Sequence, residues 1–199
     1  MLRSINALRN YSVTDTKDDT VGQVADFYFD DLTWTVRYLV VDTGTWLPGR
    51  KVLVSPIVVA QPGVSGRDFL PLKLTKEQIE KAPPIEAEQP VSRQYETELA
   101  AYFNWPEYWR DVTFMDAHAV GMPPDAYLRT IHRAAVDEAA IKEKADETAG
   151  TQGTANPHLR SVAEVTGYYS RGNEGESGRV EDFIVDAEAG GIRYMVVGN

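Results

Sequence analysis

Gly22–Val41, GQVADFYFDDLTWTVRYLVV, returns near the end of the chain as Gly178–Val197, GRVEDFIVDAEAGGIRYMVV, with nine of the twenty positions identical and no gap. The shared residues are Gly22/Gly178, Val24/Val180, Asp26/Asp182, Phe27/Phe183, Asp30/Asp186, Arg37/Arg193, Tyr38/Tyr194, Val40/Val196 and Val41/Val197. Leu2-Arg3-Ser4 also recurs, as Leu159-Arg160-Ser161. Self-similarity on this scale decides architecture before any propensity argument does. The chain reads as a duplicated β-unit with an insert between the copies.

Within the first copy, Val24 to Phe29 alternates faces, Asp30-Asp31-Leu32-Thr33 supplies turn chemistry, and Val36–Val41 gives the returning strand of a hairpin. Further short apolar runs follow at Lys51–Val54, Pro56–Val59 and Phe69–Leu72, separated by Thr43-Gly44 and Leu47-Pro48-Gly49. Short strands at this spacing suit a small barrel, whose closure removes exposed edges. Phe27, Val40 and Val41 are expected in its core, with Phe183, Val196 and Val197 as their counterparts.

At Thr75-Lys76-Glu77-Gln78 the pattern changes to a capping box, and a short helix is predicted to about Lys81, before Pro83-Pro84. A second helix is predicted over Arg93–Phe103, with Tyr95, Leu99 and Tyr102 on one face. A third is predicted from Pro123-Pro124-Asp125 to Thr148, followed by a Gly- and Thr-rich linker at 150–157. The resulting organisation is a barrel over 1–82, an acidic helical connector and linker over 83–157, and a partial second copy over 158–199. After Val197 the second copy reaches only Gly198-Asn199, so the counterparts of everything from Asp42 onward are lacking and it must borrow or share strands.

The string from Gly22 to Pro56 resembles the PRC-barrel domain, on the points Gly22, Asp26-Phe27, Arg37–Val41 and Leu47-Pro48-Gly49 before Lys51–Pro56. That domain forms the cytoplasmic barrel of the photosynthetic reaction-centre H subunit and the C-terminal half of the ribosome maturation factor. The whole chain is similar to bacterial proteins carrying two such barrels, and Ser92-Arg93-Gln94-Tyr95 with Trp105-Pro106 resembles their connector. The resemblance implies a mainly β fold with helices: a small PRC-type barrel, a helical connector and a partial second barrel.

Composition narrows the function classes. The net charge is −10; residues 1–82 hold ten basic and ten acidic residues, so the whole excess lies beyond them. Lys and Arg neutralising phosphate dominate nucleic-acid affinity, so this balance argues against direct DNA or RNA binding and against an anionic membrane surface. Cysteine is absent, which excludes disulfides, thiolate metal sites and a Cys nucleophile. MLRSINALRN carries no apolar stretch of a secretory signal, and no run approaches the ~20 apolar residues of a membrane span, so the expected location is the cytoplasm, with no integral membrane segment.

No reactive constellation stands out. His118, His132 and His158 lack converging partners at metal-ligand spacing, and Asp15, Asp18 and Asp19 lack the rest of a calcium loop. Gly172–Gly178 lacks the Gly-Lys-Ser/Thr of a phosphate loop. Asp30/Asp186 and Arg37/Arg193 read as a recurring hairpin clamp. No catalytic residue, metal or cofactor is therefore assigned.

Aromatic residues carry the binding candidates: Trp46, Leu47 and Pro48 on a loop, and Trp105 and Trp109 in the connector. The connector cluster reads first as packing between barrel and helix, whereas Trp46 suits binding and packing equally. The sequence favours a non-catalytic protein-binding or assembly module, self-associating through residues 159–199. The family resemblance offers two alternatives: an accessory of a membrane electron-transfer complex like the H subunit, or a ribosome or RNA-processing assembly factor.

Overall fold

A computed structural model describes residues 1–60, 69–83, 91–109, 156–172, 175–187 and 189–198. The helix expected over 123–148, His118, His132 and most of the 150–157 linker lie outside them. The chain is mainly β with short helices. Strand β1 (Leu2–Ser4) leads into helix α1 (Ile5–Leu8), then β2 (Ser12–Thr14), β3 (Thr20–Asp30), β4 (Thr35–Asp42) and β5 (Lys51–Val54). Strand β6 (Phe69–Pro71), α2 (Lys76–Lys81) and α3 (Arg93–Phe103) complete the first part. The second copy contains β7 (Leu159–Ser161), α4 (Val162–Val165), β8 (Tyr169–Gly172), β9 (Gly175–Asp186) and β10 (Ile192–Gly198).

The first copy forms a sheet of order β5-β4-β3-β2-β6. The hairpin β3–β4 is antiparallel, whereas β2 and β6 run parallel. Pro56–Val59, expected as a strand, instead begins as a 3-10 turn over Pro56–Val58, where the Ser55 side chain accepts the Ile57 N–H and proline has no N–H for a ladder. The chain beyond the turn then pairs with the far edge: Ala60 N–H donates to Pro71 O at 2.8 Å, and Lys73 N–H to Val58 O at 2.7 Å. This wraps the sheet around a core of Val13, Val24, Phe27, Leu39, Val41, Val52, Val54, Leu70 and Ile79. Val40 is not in that core; it joins Tyr38 and Leu53 on the opposite face, because neighbours on a strand alternate sides.

The two copies exchange their first strands. β1 pairs with β9 of the second copy, with Leu2 opposite Asp186 and Ser4 opposite Ile184. β7 pairs with β3 of the first, with Leu159 opposite Asp30 and Ser161 opposite Tyr28. Side chains repeat the reciprocity. Ser4 Oγ donates to Asp182 Oδ2 at 2.5 Å and Ser161 Oγ to Asp26 Oδ2 at 2.5 Å, while the amides of Asn6 and Ala163 each reach the other oxygen of the same aspartates at 3.0 Å. The same serines cap α1 and α4, accepting from Ala7 N–H at 3.0 Å and Glu164 N–H at 3.1 Å. A local pseudo-twofold axis passes between Thr35 and Gly191, where Val36 N–H meets Gly190 O at 2.9 Å and Ile192 N–H meets Trp34 O at 2.7 Å.

Three recurring residues shape the two hairpins, the glycines alike and the aspartates differently. Gly22 and Gly178 have φ of +156° and +121°, and a Cβ on either would run into the backbone carbonyl of Asp42 or Gly198 on the adjacent strand. Phe183 is fully buried and its ring lies 5.5 Å from that of Phe29, so the inner face of the second sheet packs against the first. Asp30 accepts from the amides of Leu32 and Thr33 at 2.9 and 3.0 Å and thus closes the turn by itself, while Asp186 pairs with Arg193 at 3.5 Å. Asp15, of the acidic cluster, organises its own loop: Oδ1 accepts from Lys17 N–H at 2.8 Å and Asp19 N–H at 3.0 Å, and Oδ2 from Lys76 N–H at the start of α2 at 3.3 Å.

Phe183→Ala removes a buried ring that joins both copies, and a loss of about 3–5 kcal/mol in unfolding free energy is expected from denaturant melts. For Asp15, burial opposes ionisation, but the amides of Lys17, Asp19 and Lys76 and the charge of Lys17 outweigh it and hold the carboxyl below its ordinary range. A depressed carboxylate stabilises above its unfolded pKa, near 4, and that contribution disappears as pH falls through the lower folded value. Asp15→Asn should therefore lower the melting temperature at neutral pH, with the difference from wild type shrinking below about pH 4.

Candidate functional site

The outer face of β3–β4–β5 is covered by α3. Ser92 caps that helix by accepting the Tyr95 N–H at 3.2 Å, and Asn104, at φ +55°, ends it in the left-handed conformation that asparagine tolerates. The buried stripe of α3 is Glu96, Leu99 and Ala100. Tyr102, expected to point inward, is exposed and donates its hydroxyl to Gln78 O at 3.0 Å; Phe103 takes the inward position and stacks on Trp105 at 4.3 Å. Tyr38, Val40 and Leu53 of the sheet pack against Val91 and Leu99, with Tyr95, Trp105 and Tyr108 around them.

At the centre of this apolar layer is a carboxylate, Glu96, with 0% exposure. Tyr108 OH donates to Oε1 at 2.6 Å, and Asn156 Nδ2 donates to Oε2 at 2.9 Å. Arg93 NH1 lies 3.1 Å from Oε2. Such a group is tolerated only when its oxygens are saturated. Burial first, and then the neighbouring negative charge of Glu96, drive both the Tyr38 and the Tyr108 phenols well above the ordinary tyrosine range. Both phenols are therefore hydrogen-bond donors throughout the accessible pH range. Arg37 and Arg93 add cationic faces, their guanidinium carbons 4.1 and 5.6 Å from the centre of the Tyr108 ring.

Glu96 thereby ties α3 to both sides of the connector. Tyr108 lies just before residues 110–155, Asn156 just after them, and both hydrogen-bond to the one carboxylate. Asn156 also receives its place from Val91, whose carbonyl accepts the Asn156 N–H at 2.9 Å, three residues before β7 crosses to β3. The sequence offered one signal for Glu96 that periodicity on aromatic residues missed: it precedes Leu99, Ala100 and Phe103 at i+3, i+4 and i+7, an acid within an apolar stripe.

The residues proposed for binding fall on separate elements. Trp109 is half-buried, edge-on to Tyr108 at 4.9 Å and under Arg93 at 4.5 Å; Trp105 packs between the helix and the sheet. Trp46 lies on the β4–β5 loop, donates Nε1–H to Val21 O at 2.8 Å and carries Lys76 Nζ 4.5 Å above its ring. It walls an open cleft of about 560 Å³ with Asp42, Gln23 and Lys76. Leu47 is half-buried and Pro48 exposed beside it. Among the described residues no three His, Cys, Asp or Glu side chains converge as a metal cradle.

The second copy repeats the hairpin of that face in β9 and β10, but the outward side chains there are exposed. Tyr38 and Val40 are each 4% exposed, whereas their counterparts Tyr194 and Val196 are 62% and 37% exposed. Tyr168, Tyr169 and Met195 are exposed nearby. Among the described residues β10 is laddered along its length only with β9; on its other edge Ile192 alone is taken up, its N–H donating to Trp34 O.

Glu96→Ala should be among the most damaging single changes in the first copy, because it leaves the Tyr108 hydroxyl and the Asn156 amide without their acceptor; a loss of about 1–3 kcal/mol for each stranded donor is expected in denaturant melts. Glu96→Gln, which keeps the shape and one acceptor, should cost less.

Two comparisons bear on identity. No curated protein matches the chain. No helix among the described residues is long and apolar enough to cross a membrane. The family model of the PRC-barrel domain matches residues 2–79, which span β1 through the capping-box helix α2. The wrapped sheet, its hairpin and this match agree: residues 2–79 carry a PRC-barrel domain.

Proposed function

We propose that the chain is a non-catalytic protein-binding module that assembles through its second copy, residues 159–199, with another copy of itself as the first partner. The observation that carries this reading is the contrast between equivalent strands. In the first copy β4 is flanked by β3 and β5 and lies under α3, whereas among the described residues β10 has no second strand beside it beyond Ile192, and its Tyr194, Met195 and Val196 side chains are exposed. An open edge of this kind pairs readily with another strand. Arg193 is the only charged residue between Ile192 and Gly198, so two β10 strands can run antiparallel across a twofold axis without opposing like charges at its centre. Twofold pairing of identical edges is also the commonest oligomer geometry.

Each chain carries a net charge of −10, so association opposes charge repulsion and should strengthen with salt. Light scattering coupled to gel filtration of the full chain should give a dimer at micromolar concentration, and a higher dimer fraction at higher ionic strength. Met195→Lys, a charge placed on the strand that forms the edge, should give a monomer with an unchanged circular dichroism spectrum. A wild-type monomer across the accessible concentration range contradicts self-association.

A further inference from the structure

The turns that meet at the pseudo-twofold axis carry different residues at the same place in the repeat. In the second copy that place is Gly190, at φ +73°; in the first it is Trp34, at φ +52°. A left-handed backbone is routine for glycine, but a side chain there brings its Cβ close to the following carbonyl oxygen, and for a residue as bulky as tryptophan the conformation is an outlier. The strained residue brings contacts that glycine cannot make. The Trp34 ring stacks on Phe29 at 5.6 Å, with 28° between the planes, and lies 6.3 Å from Phe183 of the second copy. Those two phenylalanines are 2% and 0% exposed, whereas Trp34 is 41% exposed, so the indole covers the inter-copy pair from the solvent side. The Trp34 carbonyl accepts the Ile192 N–H at 2.7 Å, the mate of the bond from Val36 N–H to Gly190 O at 2.9 Å. Of the three groups that engage Trp34 in this way, the Phe183 ring and the Ile192 amide belong to the second copy.

We propose that Trp34 is a strained lock between the two copies, held in the left-handed conformation by the docked second copy and released from it when the copies part at the axis. The backbone at position 34 favours release, because an unfavourable conformation persists only where its surroundings over-determine it. The indole stacked across Phe29 and Phe183 opposes release, since aromatic pairs stabilise beyond the area they bury, and so does the carbonyl taken up by Ile192. Gly190 adopts its turn without strain and has no ring to offer, so the lock is one-sided: the β3–β4 turn responds to docking and the β9–β10 turn does not. Opening of the inter-copy contact is thereby coupled to relaxation of the β3–β4 turn, the pairing of a packed interface with a turn that has two arrangements. These contacts lie within one chain, and the proposal does not rest on self-association through β10.

Two substitutions in the full-length chain separate the ring from the strain. Trp34→Ala removes the ring and keeps a Cβ in the left-handed turn, whereas Trp34→Gly removes both and restores the residue of the second copy. In denaturant melts Trp34→Gly should be the more stable of the two, because at a positive φ the penalty of a Cβ exceeds the chain-entropy cost of glycine. Hydrogen exchange followed by nuclear magnetic resonance reads the lock itself. In Trp34→Gly the Ile192 and Val36 amides should exchange about tenfold or more faster, relative to the Val24 amide bonded to Tyr11 O away from the axis, than they do in wild type. Phe183→Leu, which keeps an apolar side chain without the ring, supplies the background for a double-mutant cycle, and there Trp34→Gly should cost less stability than in wild type. Trp34→Ala at least as stable as Trp34→Gly means that position 34 is unstrained and overturns the proposal. So does equal acceleration of the Ile192, Val36 and Val24 amides, which makes the ring an ordinary contributor to global stability. An equal cost of Trp34→Gly in both backgrounds also overturns it, because Trp34 then acts within the first copy alone.

Discussion

Reciprocal exchange of the first strands is the constraint on which the rest of the structure depends. Each copy lends a Leu-Arg-Ser arm to the other, and each arm ends in a serine that both caps its own short helix and donates to an aspartate of the opposite hairpin. One aspartate therefore receives a hydroxyl and a backbone N–H at once, and hydrogen bonds to a charged acceptor are each worth about 1.5–3 kcal/mol. Four such bonds, two per arm, fix the register of strands that are only three residues long. Without them arms this short would not hold a place in a sheet, and the rings of Phe29 and Phe183 would not meet across the axis.

Symmetry at the axis coexists with asymmetry at the periphery. Near Thr35 and Gly191 the copies match atom for atom in their backbone bonds, yet the first adds β5, β6 and α3 around its hairpin. Those additions bury both faces of β4, and Glu96 secures them by joining the helix to the residues on either side of the connector. The same carboxylate thus links the covering of the first copy to the point where the chain enters β7. Asn156 bonds both Glu96 and the turn from which Leu159 starts.

The hairpins, the capping-box helix and the duplication were legible because each rests on local signals: alternation over Val36–Val41, Thr75 three residues before Gln78, and nine identities in twenty. The exchange was not, although the recurrence of Leu-Arg-Ser marked the residues involved. Three residues with no period of their own do not say which sheet they join, and an arm beside its own hairpin reads the same as an arm beside its neighbour's. Pro56–Val59 looked like a strand from its apolar content, but Ser55 and Pro56 favour a capped turn. Val40 reads as a barrel-core residue beside Val41, because hydrophobicity alone does not reveal that a helix covers the other face. Glu96 went unnoticed for the related reason that a charged residue on a helix is usually solvated, and only tertiary packing shows otherwise.

The exchange itself is open to direct test by nuclear magnetic resonance on the full-length chain, through the close proton contacts that antiparallel strands make across a sheet. The account predicts contacts between Arg3 and Val185 and between Arg160 and Phe29, each arm lying beside the hairpin of the other copy. Contacts between Arg3 and Phe29 and between Arg160 and Val185, with each arm lying beside its own hairpin, would contradict it.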